Sequence, residues 1–571
     1  MYTKDSAIQE VITALKKAIG KGFEVTVDML ETPPDSKLGD IAFPVFELAK
    51  GKERNPTEIA TELAAKIGPG KYITKISSAG PYVNFTFALT VVTEEVIKQV
   101  AKMKKTYGNS KTGEGKNVLV EYAQPNTHKE FHIGHVRNAV LGQAVVNVME
   151  ANGYKVIAAS YIGDVGAHVA KALWGLKKFM SDEEIKDIPK NERAKKLGEI
   201  YTKATQFVDE HEKAKLEIAE VQQKLEAGEE PWHKLWKETR EWSLREFKSI
   251  FEELNVAPDV WYFESEVEKK GKVLVKKMLT KGIAKKSEGA TVVDLADEDL
   301  GIFLILKSDG SSLYATKDLA LAFEKDRKFD PDRQIFVVDV RQSLYFQQLF
   351  ATLRKLEYTK KLTHLAYDMV NLPEGAISSR SGNIVRYEDV RDAMVLKLVE
   401  ETQKRHEDWK EKEVTEVAKT IALGSMIFMM LRQDPKSIIT FDMEEALSFE
   451  GFTGPYLLYT IARIESIKKK AGMKSKVEAK LLTNRLEHEL IRRLANYPDL
   501  VQDVGAHFQV SSIAQWAFDT AKLFAEYYHE IQIIDEKNQE LTQARLALAE
   551  SVGQVLKNSM HLLGIDVLEE M

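Results

Sequence analysis

The stretch from residue 116 to residue 162 constrains the fold of this chain more than any other part of the sequence. KNVLVEYAQPN predicts a strand and a turn, Gly134 to about Asn152 predicts a helix, and KVIAASYIG predicts a second strand. Two strands joined by a helix lie parallel in one sheet, because the crossover brings the chain back to the same end. Such a sheet binds ligands at the carboxyl ends of its strands. We therefore predict a nucleotide-binding α/β domain that begins near Lys116.

Composition narrows the class of protein. The chain has 571 residues, 44% of them hydrophobic, and this length is typical of roughly three or four domains. Lys and Arg number 81 against 87 Asp and Glu, so the formal net charge is −6 at pH 7. A nucleic-acid partner must therefore meet a local basic face, because the whole molecule supplies no attractive field. The absence of cysteine excludes a disulfide framework, a thiolate nucleophile and a thiolate zinc site, and it fits a reducing compartment.

No segment of the sequence has the pattern of a signal peptide or a membrane-spanning helix. The amino terminus, MYTKDSAIQE, lacks a basic patch followed by an apolar segment and does not resemble a signal peptide. The longest uncharged stretch, Thr420 to Leu431, is too short to span a bilayer and predicts a buried helix. We expect a cytoplasmic protein with no membrane partner.

The regions on either side of the α/β unit differ in pattern. Residues 1–115 mix helices with β-rich runs such as YVNFTFAL and end in a polar linker, YGNSKTGEGK, which predicts a small α+β domain. Residues 116–390 hold the α/β domain, where sheet-like runs return at ATVVDL, IFLILK and QIFVVDV. Within it, residues from about 181 to 254 predict a helical insertion, either a solvated hairpin or an RNA-contacting element.

Residues 391–571 contain no convincing strand pattern and predict a helical bundle. Apolar residues recur every four positions, which gives a helix one apolar stripe for packing. The stripes comprise Leu482, Leu486, Leu490 and Leu494, then Leu548, Val552 and Leu556.

The turn before the predicted helix carries His132, Gly134 and His135. A helix amino terminus offers free amide groups and partial positive charge, so it binds phosphate without a glycine-rich loop. Gly134 leaves a flat surface for a purine ring, and the two imidazoles can donate N–H groups to phosphate oxygens. Donors that meet growing negative charge accelerate a reaction, so the pair is expected to serve phosphoryl or nucleotidyl transfer. The alternative is two histidines that merely cap a helix.

The same turn resembles a known signature. HIGH after a first strand is similar to the signature of class I aminoacyl-tRNA synthetases, and VEYAQPNTHKEFHIGHVRNAV resembles the arginyl-tRNA synthetases in its Val-Glu-Tyr, Pro-Asn and Lys. Further blocks resemble that family in the same order: IGDVGAHV, KSDGSSLYATKDLA, VVDVRQSLYFQQLF, TGPYLLYTIARI and the carboxyl-terminal LLGIDVLEEM. GDIAFPVFELAK and ISSAGPYVNF are similar to its extra amino-terminal domain.

This resemblance implies both a fold and a reaction. The implied fold is a Rossmann-type parallel-sheet catalytic domain with a tRNA-binding α+β additional domain before it and an all-helical anticodon-binding bundle after it. The implied reaction joins L-arginine to its tRNA through an arginyl-adenylate, with ATP as substrate and Mg²⁺ supplied alongside the nucleotide. We expect a monomer without a metal site of its own.

The resemblance also implies an arginine site. A guanidinium is best held by carboxylates through charge-assisted hydrogen bonds, and Glu121 and Asp318 match the family's acidic positions. Tyr314 precedes Asp318 by one helical turn, so both can face one pocket. Asn126 and Gln342 match the amide partners for the amino and carboxylate groups of arginine. Taken alone, Glu121 could instead be an ordinary surface ion-pair residue.

A second signature loop is degenerate in this chain. GAISSRSGNIV retains Ser378, Ser379 and Arg380 but has no lysine, as in the arginyl enzymes that it resembles. Lys129, just before His132, is expected to supply the missing positive charge to ATP. The alternatives are an ordinary turn and a solvated lysine.

The carboxyl-terminal region offers candidates for tRNA contact. Tyr456, Tyr459 and Arg463 share one helical face, which could stack on bases and pair with phosphate, although a core role for each aromatic is an equal alternative. Weaker candidates are Met571, Tyr527 and Tyr528.

Three positions have no assigned role, and two alternative functions are considered. His168, Leu458 and Tyr345 depart from the residues common in the family, so we assign them no role. A small-molecule nucleotidyltransferase would share the HIGH turn but leave the terminal domains without a purpose. A catalytically idle RNA-binding relative would be expected to lose HIGH, which is intact here.

Overall fold

The computed structural model describes residues 2–35, 37–50, 54–373 and 385–571, with the backbone of 375–376. The predicted signature-loop residues Ser378, Ser379 and Arg380 lie outside these ranges.

The amino-terminal region is a small α+β unit with its own apolar core. Its three strands form an antiparallel sheet in the order β1-β3-β2, and Val11, Leu63 and Phe85 are buried in the core beside it. The elements are α1 (Thr3–Ile19), β1 (Ile41–Pro44), α2 (Phe46–Ala49), α3 (Pro56–Lys66), β2 (Ile73–Ala79), β3 (Tyr82–Phe87) and α4 (Leu89–Met103).

The predicted linker is packed against its neighbours. Tyr107 is buried, and its hydroxyl donates to the carbonyl of Leu494 at 2.9 Å, while the Asn558 amide donates to the Tyr107 carbonyl at 3.0 Å. The Ser110 amide donates to the carbonyl of Ala151 at 2.8 Å. The polar groups of this segment form hydrogen bonds to other domains. In the sequence, such groups look the same as polar groups that face water.

The central sheet has five parallel strands in the order β11-β10-β4-β5-β6. Val120 lies between Ile335 and Ala158, and all three are buried. The chain leaves β4 toward one edge and β10 toward the other, so the crevice between them is a topological switch point. This topology confirms the predicted Rossmann-type sheet. The strands are β4 (Asn117–Glu121), β5 (Lys155–Ile162), β6 (Val260–Phe263), β10 (Arg333–Asp339) and β11 (Lys361–Tyr367).

Two of the sheet-like runs found in the sequence belong to another sheet. ATVVDL and IFLILK lie in an antiparallel sheet of order β7-β8-β9, which packs on α12 and α13 in a separate core. A short apolar run does not specify which sheet it joins, so only the tertiary structure separates them. The elements are α11 (Glu264–Thr280), β7 (Lys285–Ser287), β8 (Ala290–Asp294), β9 (Ile302–Leu306), α12 (Tyr314–Phe329) and α13 (Ser343–Lys355).

A group of helices follows β5, as predicted for the insertion. Asp164, just after β5, is fully buried and ties this group to the sheet: Arg240 Nε donates to its carboxylate at 2.8 Å, and Trp236 Nε1 donates to its carbonyl at 2.8 Å. The helix before β5 is α5 (Ile133–Ala151), which joins β4 to β5. The helices after β5 are α6 (Ala167–Phe179), α7 (Asp182–Asp187), α8 (Arg193–Glu210), α9 (Glu212–Ala227) and α10 (Trp232–Glu253).

The carboxyl-terminal region is a helical bundle with one short strand. The two-residue strand β14 pairs in parallel with β12, so the expectation of no strand beyond residue 391 was wrong in this detail. Two residues are too few to show a periodic pattern, and the pairing depends on β12. The elements are β12 (Val370–Leu372), β13 (Gly375–Ala376), α14 (Tyr387–Arg405), α15 (Glu411–Leu431), β14 (Ile439–Thr440), α16 (Met443–Ala446), α17 (Gly454–Ala471), α18 (Arg485–His507), α19 (Ser511–Glu530) and α20 (Gln539–Leu562).

The helix α15 is longer than the uncharged stretch that predicted it. It has 21 residues, and among the described residues it is the one helix whose length and apolar composition would allow it to cross a membrane. However, 67% of the most apolar segment of this helix is buried inside the protein. Ile427 and Phe428 lie in the core that also contains α5 and α17, in agreement with the predicted buried helix.

A buried arginine joins the central sheet to the bundle. Arg137 of α5 is 1% exposed, and its guanidinium donates to the carbonyls of Asp368 at 2.7 Å and Ser437 at 2.8 Å. Burial lowers its pKa to about 10. These bonds fix α5, and with it the HIGH turn, against the chain that follows β11.

Candidate active site

The HIGH turn is held by reciprocal hydrogen bonds of its two histidines. His132 is the N-cap of α5, and its Nδ1 accepts from the Gly134 amide at 3.1 Å. His135 Nδ1 accepts from the His132 amide at 3.2 Å, and the two rings stack with centroids 3.8 Å apart. Because both Nδ1 atoms are acceptors, the bonding pattern assigns the proton of each neutral ring to Nε2.

Both imidazoles are uncharged at neutral pH. Burial, together with the nearby Lys129 charge, lowers the pKa of His132 to about 4. Burial and then the His132 ring lower the pKa of His135 well below its ordinary value. The histidines therefore cap the helix and also keep Nε2–H donors, so the capping alternative and the phosphate-donor role are compatible.

Gly134 lies directly under the first histidine ring. A Cβ at this position would lie 3.0 Å from both Cε1 and Nδ1 of His132. Any side chain would therefore press on the ring that caps the helix. The close approach of the His132 ring is thus one reason for glycine at residue 134, and the predicted purine contact of Gly134 stays a prediction.

The HIGH turn opens into a cavity of about 140 Å³. The cavity brings together four predicted residues from one strand-to-helix connection and adds three from the helical insertion. Its lining comprises Asn126, Lys129, Glu130, His132, His135, Gly198, Tyr201 and Thr202. The contribution of α8 was not predicted, because no local pattern in an insertion indicates which side faces the turn.

Lys129 points its charge at an aromatic ring. Its Nζ lies 5.4 Å from the ring centroid of Tyr201, and within the described ranges it has no ion pair. Burial lowers its pKa, and the nearby Lys171 lowers it further. A partly buried ammonium ion beside two neutral histidines is suited to meet an anionic ligand.

A second group of polar side chains, here called the Asp318 pocket, lies around Asp318 in the first turns of α12. The Tyr345 hydroxyl donates to Asp318 Oδ2. Burial raises the pKa of Asp318 to about 7, although the Tyr345 bond opposes the rise. Tyr314, one turn earlier, is 63% exposed and lies at the rim, with Lys317 Nζ 5.8 Å from its ring centroid. The Asp318 charge acts on the Tyr314 hydroxyl, so the two side chains are near each other, while their predicted role in binding arginine stays a prediction.

Glu264 is an acid of this pocket that the sequence argument missed. It lies at the start of α11, is 5% exposed, and accepts from Lys317 Nζ at 2.6 Å. Burial raises its pKa, and its charge contributes to the raised pKa of Asp318. Its position directly after β6 was a usable signal, because the carboxyl ends of parallel strands meet at one edge of the sheet.

Glu121 is buried at the end of β4. It is 4% exposed, which excludes an ordinary surface residue, and Gln124 Nε2 donates to its Oε1 at 2.8 Å. Its other oxygen forms an ion pair with Lys325, which is 1% exposed. Burial lowers the pKa of Lys325 to about 7. No local sequence pattern indicates that a lysine of α12 reaches this strand.

The two predicted amide residues differ in placement. A Cβ at Gly163 would lie 2.1 Å from Asn126 Oδ1 and 3.6 Å from Glu264 Oε1, so Asn126 lies between the two pockets. Gln342 is exposed on the turn after β10, and in the described part of the chain its amide has no hydrogen bond. Gln342 follows β10 at the carboxyl-end edge of the sheet, and its predicted contact with arginine stays a prediction.

Two tyrosines complete the second pocket without having been predicted. Burial and the Asp318 charge raise the pKa of Tyr161, whose buried hydroxyl has no hydrogen-bond partner among the described residues. Tyr345, which departs from the usual family residue, contacts Asp318 directly. The strand-end position of Tyr161 was the signal available for it.

The predicted tRNA contacts in the bundle divide into exposed and packed residues. Arg463 donates to the Tyr459 hydroxyl at 3.0 Å and lies 5.2 Å from the Tyr528 ring. Tyr459 is 37% exposed and Tyr528 is 43% exposed. By contrast, the Tyr456 ring packs on Phe518 with centroids 5.5 Å apart. Met571 packs against the apolar core, and Tyr527 is fully buried.

The two pockets share one crevice and have opposite chemistry. The HIGH cavity presents neutral N–H donors and an ammonium ion, which suit phosphate oxygens. The Asp318 pocket presents carboxylates and tyrosine hydroxyls, which suit a cationic group. The arrangement can hold a nucleotide and a basic small molecule side by side.

Three family models match the chain. The model for the catalytic domain of class I (R) tRNA synthetases matches residues 96–442. The arginyl tRNA synthetase N terminal domain matches residues 5–87, and the DALR anticodon binding domain matches residues 457–571.

Full-length relatives agree with these models. A protein of Bdellovibrio bacteriovorus named arginine–tRNA ligase is 36% identical, and the similarity covers 100% of both chains. A protein of the same name from Clostridium acetobutylicum is 34% identical over 98% of each chain. Among solved structures, the Thermus thermophilus arginyl-tRNA synthetase is similar with a TM-score of 0.83 and 25% identity, covering 100% of both chains.

Proposed function

The chain belongs to the class I arginyl-tRNA synthetases, and from this membership we propose how its residues divide the work of the reaction. The enzyme attaches L-arginine to tRNA at the expense of ATP. A carboxylate oxygen of arginine attacks the α-phosphorus of ATP, and pyrophosphate leaves with the electrons of the broken phosphorus–oxygen bond. A ribose hydroxyl of the terminal adenosine of tRNA then attacks the arginyl carbonyl, loses its proton and displaces AMP. Positioning and charge stabilisation are the main contributions of the protein.

ATP is assigned to the HIGH cavity. His132 and His135 direct Nε2–H donors at phosphate oxygens, Gly134 provides the surface for the adenine ring, and Lys129 offsets the charge that builds on the leaving pyrophosphate. The stacked, capped rings support this assignment because they are fixed before the substrate arrives. Ser378, Ser379 and Arg380 are assigned to the same phosphates from the sequence alone.

Arginine is assigned to the adjoining pocket. Asp318 binds the guanidinium, with Tyr314 at the rim, and Asn126 lies where the amino group of the substrate would meet the nucleotide site. Glu121 and Gln342 complete the set on the evidence of their family positions. The single observation that carries the assignment is the pair of buried carboxylates, Asp318 and Glu264, for which the described residues provide one paired lysine, Lys317.

tRNA is assigned to both terminal regions. We propose that residues 1–115 and 391–571 bind tRNA and that residues 116–390 catalyse the reaction. In the bundle, the exposed pair Tyr459 and Arg463 is the best-supported contact, because it presents a ring and a charge to solvent. Tyr456, which packs on Phe518, becomes a weaker candidate than its two neighbours on the helix, and Met571 remains a weaker candidate.

The conditions of the reaction follow from the same chemistry. Mg²⁺ is proposed to arrive on the phosphates of ATP, because this hard cation prefers oxygen ligands and keeps several waters. The protein is proposed to act as a monomer in the cytoplasm, which the absence of cysteine fits.

A charging assay tests the specificity directly. The purified chain is incubated with ATP, total tRNA and each of the twenty amino acids in turn, and only arginine is expected to become attached. Charging with lysine or glutamine in place of arginine would overturn the assignment of the acidic pocket. Arginine-dependent ATP–pyrophosphate exchange that tRNA stimulates would also exclude a small-molecule nucleotidyltransferase.

A further inference from the structure

The helix α8 of the insertion is docked closely on the HIGH segment. A Cβ at Gly198 of α8 would lie 2.2 Å from Glu130 Cγ, so a side chain there would displace Glu130. On the opposite side, a Cβ at Gly175 of α6 would lie 2.9 Å from Ile200 Cγ2 and 3.0 Å from Ala204 Cβ. Glycine weakens a helix. Here Gly198 permits the close approach of Glu130 to α8, and Gly175 permits the close approach of α6 to α8. The face of α8 between these contacts is therefore fixed relative to the nucleotide cavity.

The residue that this docking presents to the cavity is Tyr201. Two ammonium groups lie near its ring: Lys129 Nζ and Lys171 Nζ are each 5.4 Å from its centroid. Lys171 belongs to α6, and its Nζ also donates to Thr205 Oγ1 at 3.3 Å. Three elements thus bring two like charges to one ring at the wall of the HIGH cavity.

These two lysines lack carboxylate partners at contact distance. Among the residues that the structure describes, neither forms an ion pair, and burial lowers the pKa of both. Glu130 lines the same cavity, but burial raises its pKa, and Arg386 is the cation whose charge opposes that rise. Asp209 is the acid whose charge acts on Lys171. Two converging ammonium ions repel each other unless an anion comes between them.

We propose that Lys171 and Tyr201 are part of the adenylation site: Lys171 binds the β- and γ-phosphates of ATP together with Lys129, and the Tyr201 ring positions both ammonium groups. The inference rests on the proposed placement of ATP in the HIGH cavity. It gives the helical insertion a role as the outer wall of the nucleotide site. When the bond between the α-phosphorus and the bridging oxygen breaks, both lysines stay protonated and face the charge of the departing pyrophosphate.

Four variants and one control test the proposal in the full-length enzyme. Lys171→Ala removes the charge and Lys171→Arg retains it, while Tyr201→Leu removes the ring and Tyr201→Phe retains it. The control is Lys178→Ala, also on α6, because Lys178 lies 3.9 Å from the carboxylate of Glu217 and therefore has an acidic partner, which Lys171 lacks among the described residues. Arginine-dependent ATP–pyrophosphate exchange is measured with tRNA present, with KM for ATP, pyrophosphate, arginine and tRNA, and the melting temperature of each variant.

Lys171→Ala is expected to raise KM for ATP and pyrophosphate, or to lower the exchange rate, by about 10- to 100-fold, with the arginine KM unchanged. Lys171→Arg and Tyr201→Phe should restore most of the loss, and Tyr201→Leu should fall between Lys171→Ala and the wild type. A Lys171→Ala enzyme that matches Lys178→Ala overturns the proposal. A rise in the tRNA KM alone also overturns it and assigns the two lysines to an acceptor-strand phosphate of tRNA.

Lys129→Ala separates this proposal from the one on which it rests. If Lys129→Ala lowers exchange and Lys171→Ala does not, only the role of Lys171 and Tyr201 fails. If neither variant affects ATP or pyrophosphate, the placement of ATP in the HIGH cavity fails as well. A melting temperature equal to that of the control shows that a loss of exchange does not arise from unfolding, and Lys171→Arg supplies the same information if Lys171→Ala folds poorly.

Discussion

The two ends of the crevice, the proposed nucleotide end at the HIGH turn and the proposed arginine end at Asp318, respond to burial in opposite directions. At the nucleotide end, burial lowers the pKa of Lys129 and brings that of His132 to about 4. At the arginine end, burial raises the pKa of Glu264 and brings that of Asp318 to about 7. Removal from water disfavours the charged form of each group. A substrate of opposite charge offsets this cost at either end.

The two ends also differ in how much of their charge the protein compensates. Lys317 pairs with Glu264 and Lys325 pairs with Glu121, so acids near the arginine end already have buried counter-ions. Lys129 has no such ion pair in the described part of the chain. The comparison teaches that the nucleotide end depends on its substrate for charge balance more than the arginine end does.

The largest effect is expected from removing the charge at the nucleotide end. Lys129→Ala should lower the rate of arginine activation by about 100-fold or more, as for loss of a preorganised donor at a transition state, with a smaller effect on arginine binding. Single-turnover activation and the arginine KM measure the two effects separately. Introducing Ser379→Lys in this variant should recover part of the rate, because the charge returns from the opposite loop. Activation at the wild-type rate would remove Lys129 from the mechanism and leave Arg380 as the next candidate.

A somewhat smaller effect is expected from neutralising the arginine end. Asp318→Asn keeps the shape of the side chain and removes its charge, and loss of a charge-assisted hydrogen bond costs about 1.5 to 3 kcal/mol. The arginine KM should therefore rise by roughly 10- to 150-fold while the ATP KM changes little. Steady-state exchange assays at varied arginine and ATP check both values. An arginine KM that does not change would exclude Asp318 from the substrate site.

The pH dependence of arginine binding probes the same carboxyl without a mutation. The pKa of Asp318 is raised to about 7, so the group is protonated below that pH and must lose its proton to bind a guanidinium. The arginine KM should rise as pH falls, approaching about tenfold for each pH unit below 7. Asp318→Asn serves as the control and should abolish this dependence. A KM that stays level from pH 8 to pH 6 in the wild type would show that Asp318 binds as an ordinary exposed acid.

The smallest effect is expected far from the crevice. Arg463→Ala should raise the tRNA KM several-fold and flatten the salt dependence of tRNA binding, because a phosphate contact releases counter-ions. Arginine-dependent kinetics at saturating tRNA should not change. Arg493→Ala is a matched control, since Arg493 also lies in the bundle but pairs with Asp519 at 3.6 Å. Equal salt slopes for the two variants would assign Arg463 to structure.

In the bundle, two tyrosines with the same predicted role differ in their exposure to solvent. Tyr456 and Tyr459 lie on the same helix and were predicted together, yet Tyr456 packs on Phe518 whereas Tyr459 is 37% exposed beside Arg463. Helical spacing places both on one side of α17, but the neighbouring helix α19 covers only one of them. Spacing therefore identifies a face, and packing decides which part of that face a ligand can reach.

What the sequence determined by itself is local. The strand, HIGH turn and helix around His132, the single helical turn between Tyr314 and Asp318, and the apolar stripes of the bundle follow from spacing, which nearby backbone geometry enforces. What only the tertiary structure decided is the set of partners. Tyr345 reaches Asp318 across 27 positions and Lys317 reaches Glu264 across 53. Such contacts, and the pKa shifts that accompany them, depend on which surfaces exclude water together, and this is set by the packing of whole elements and not by the residues beside each group in the chain.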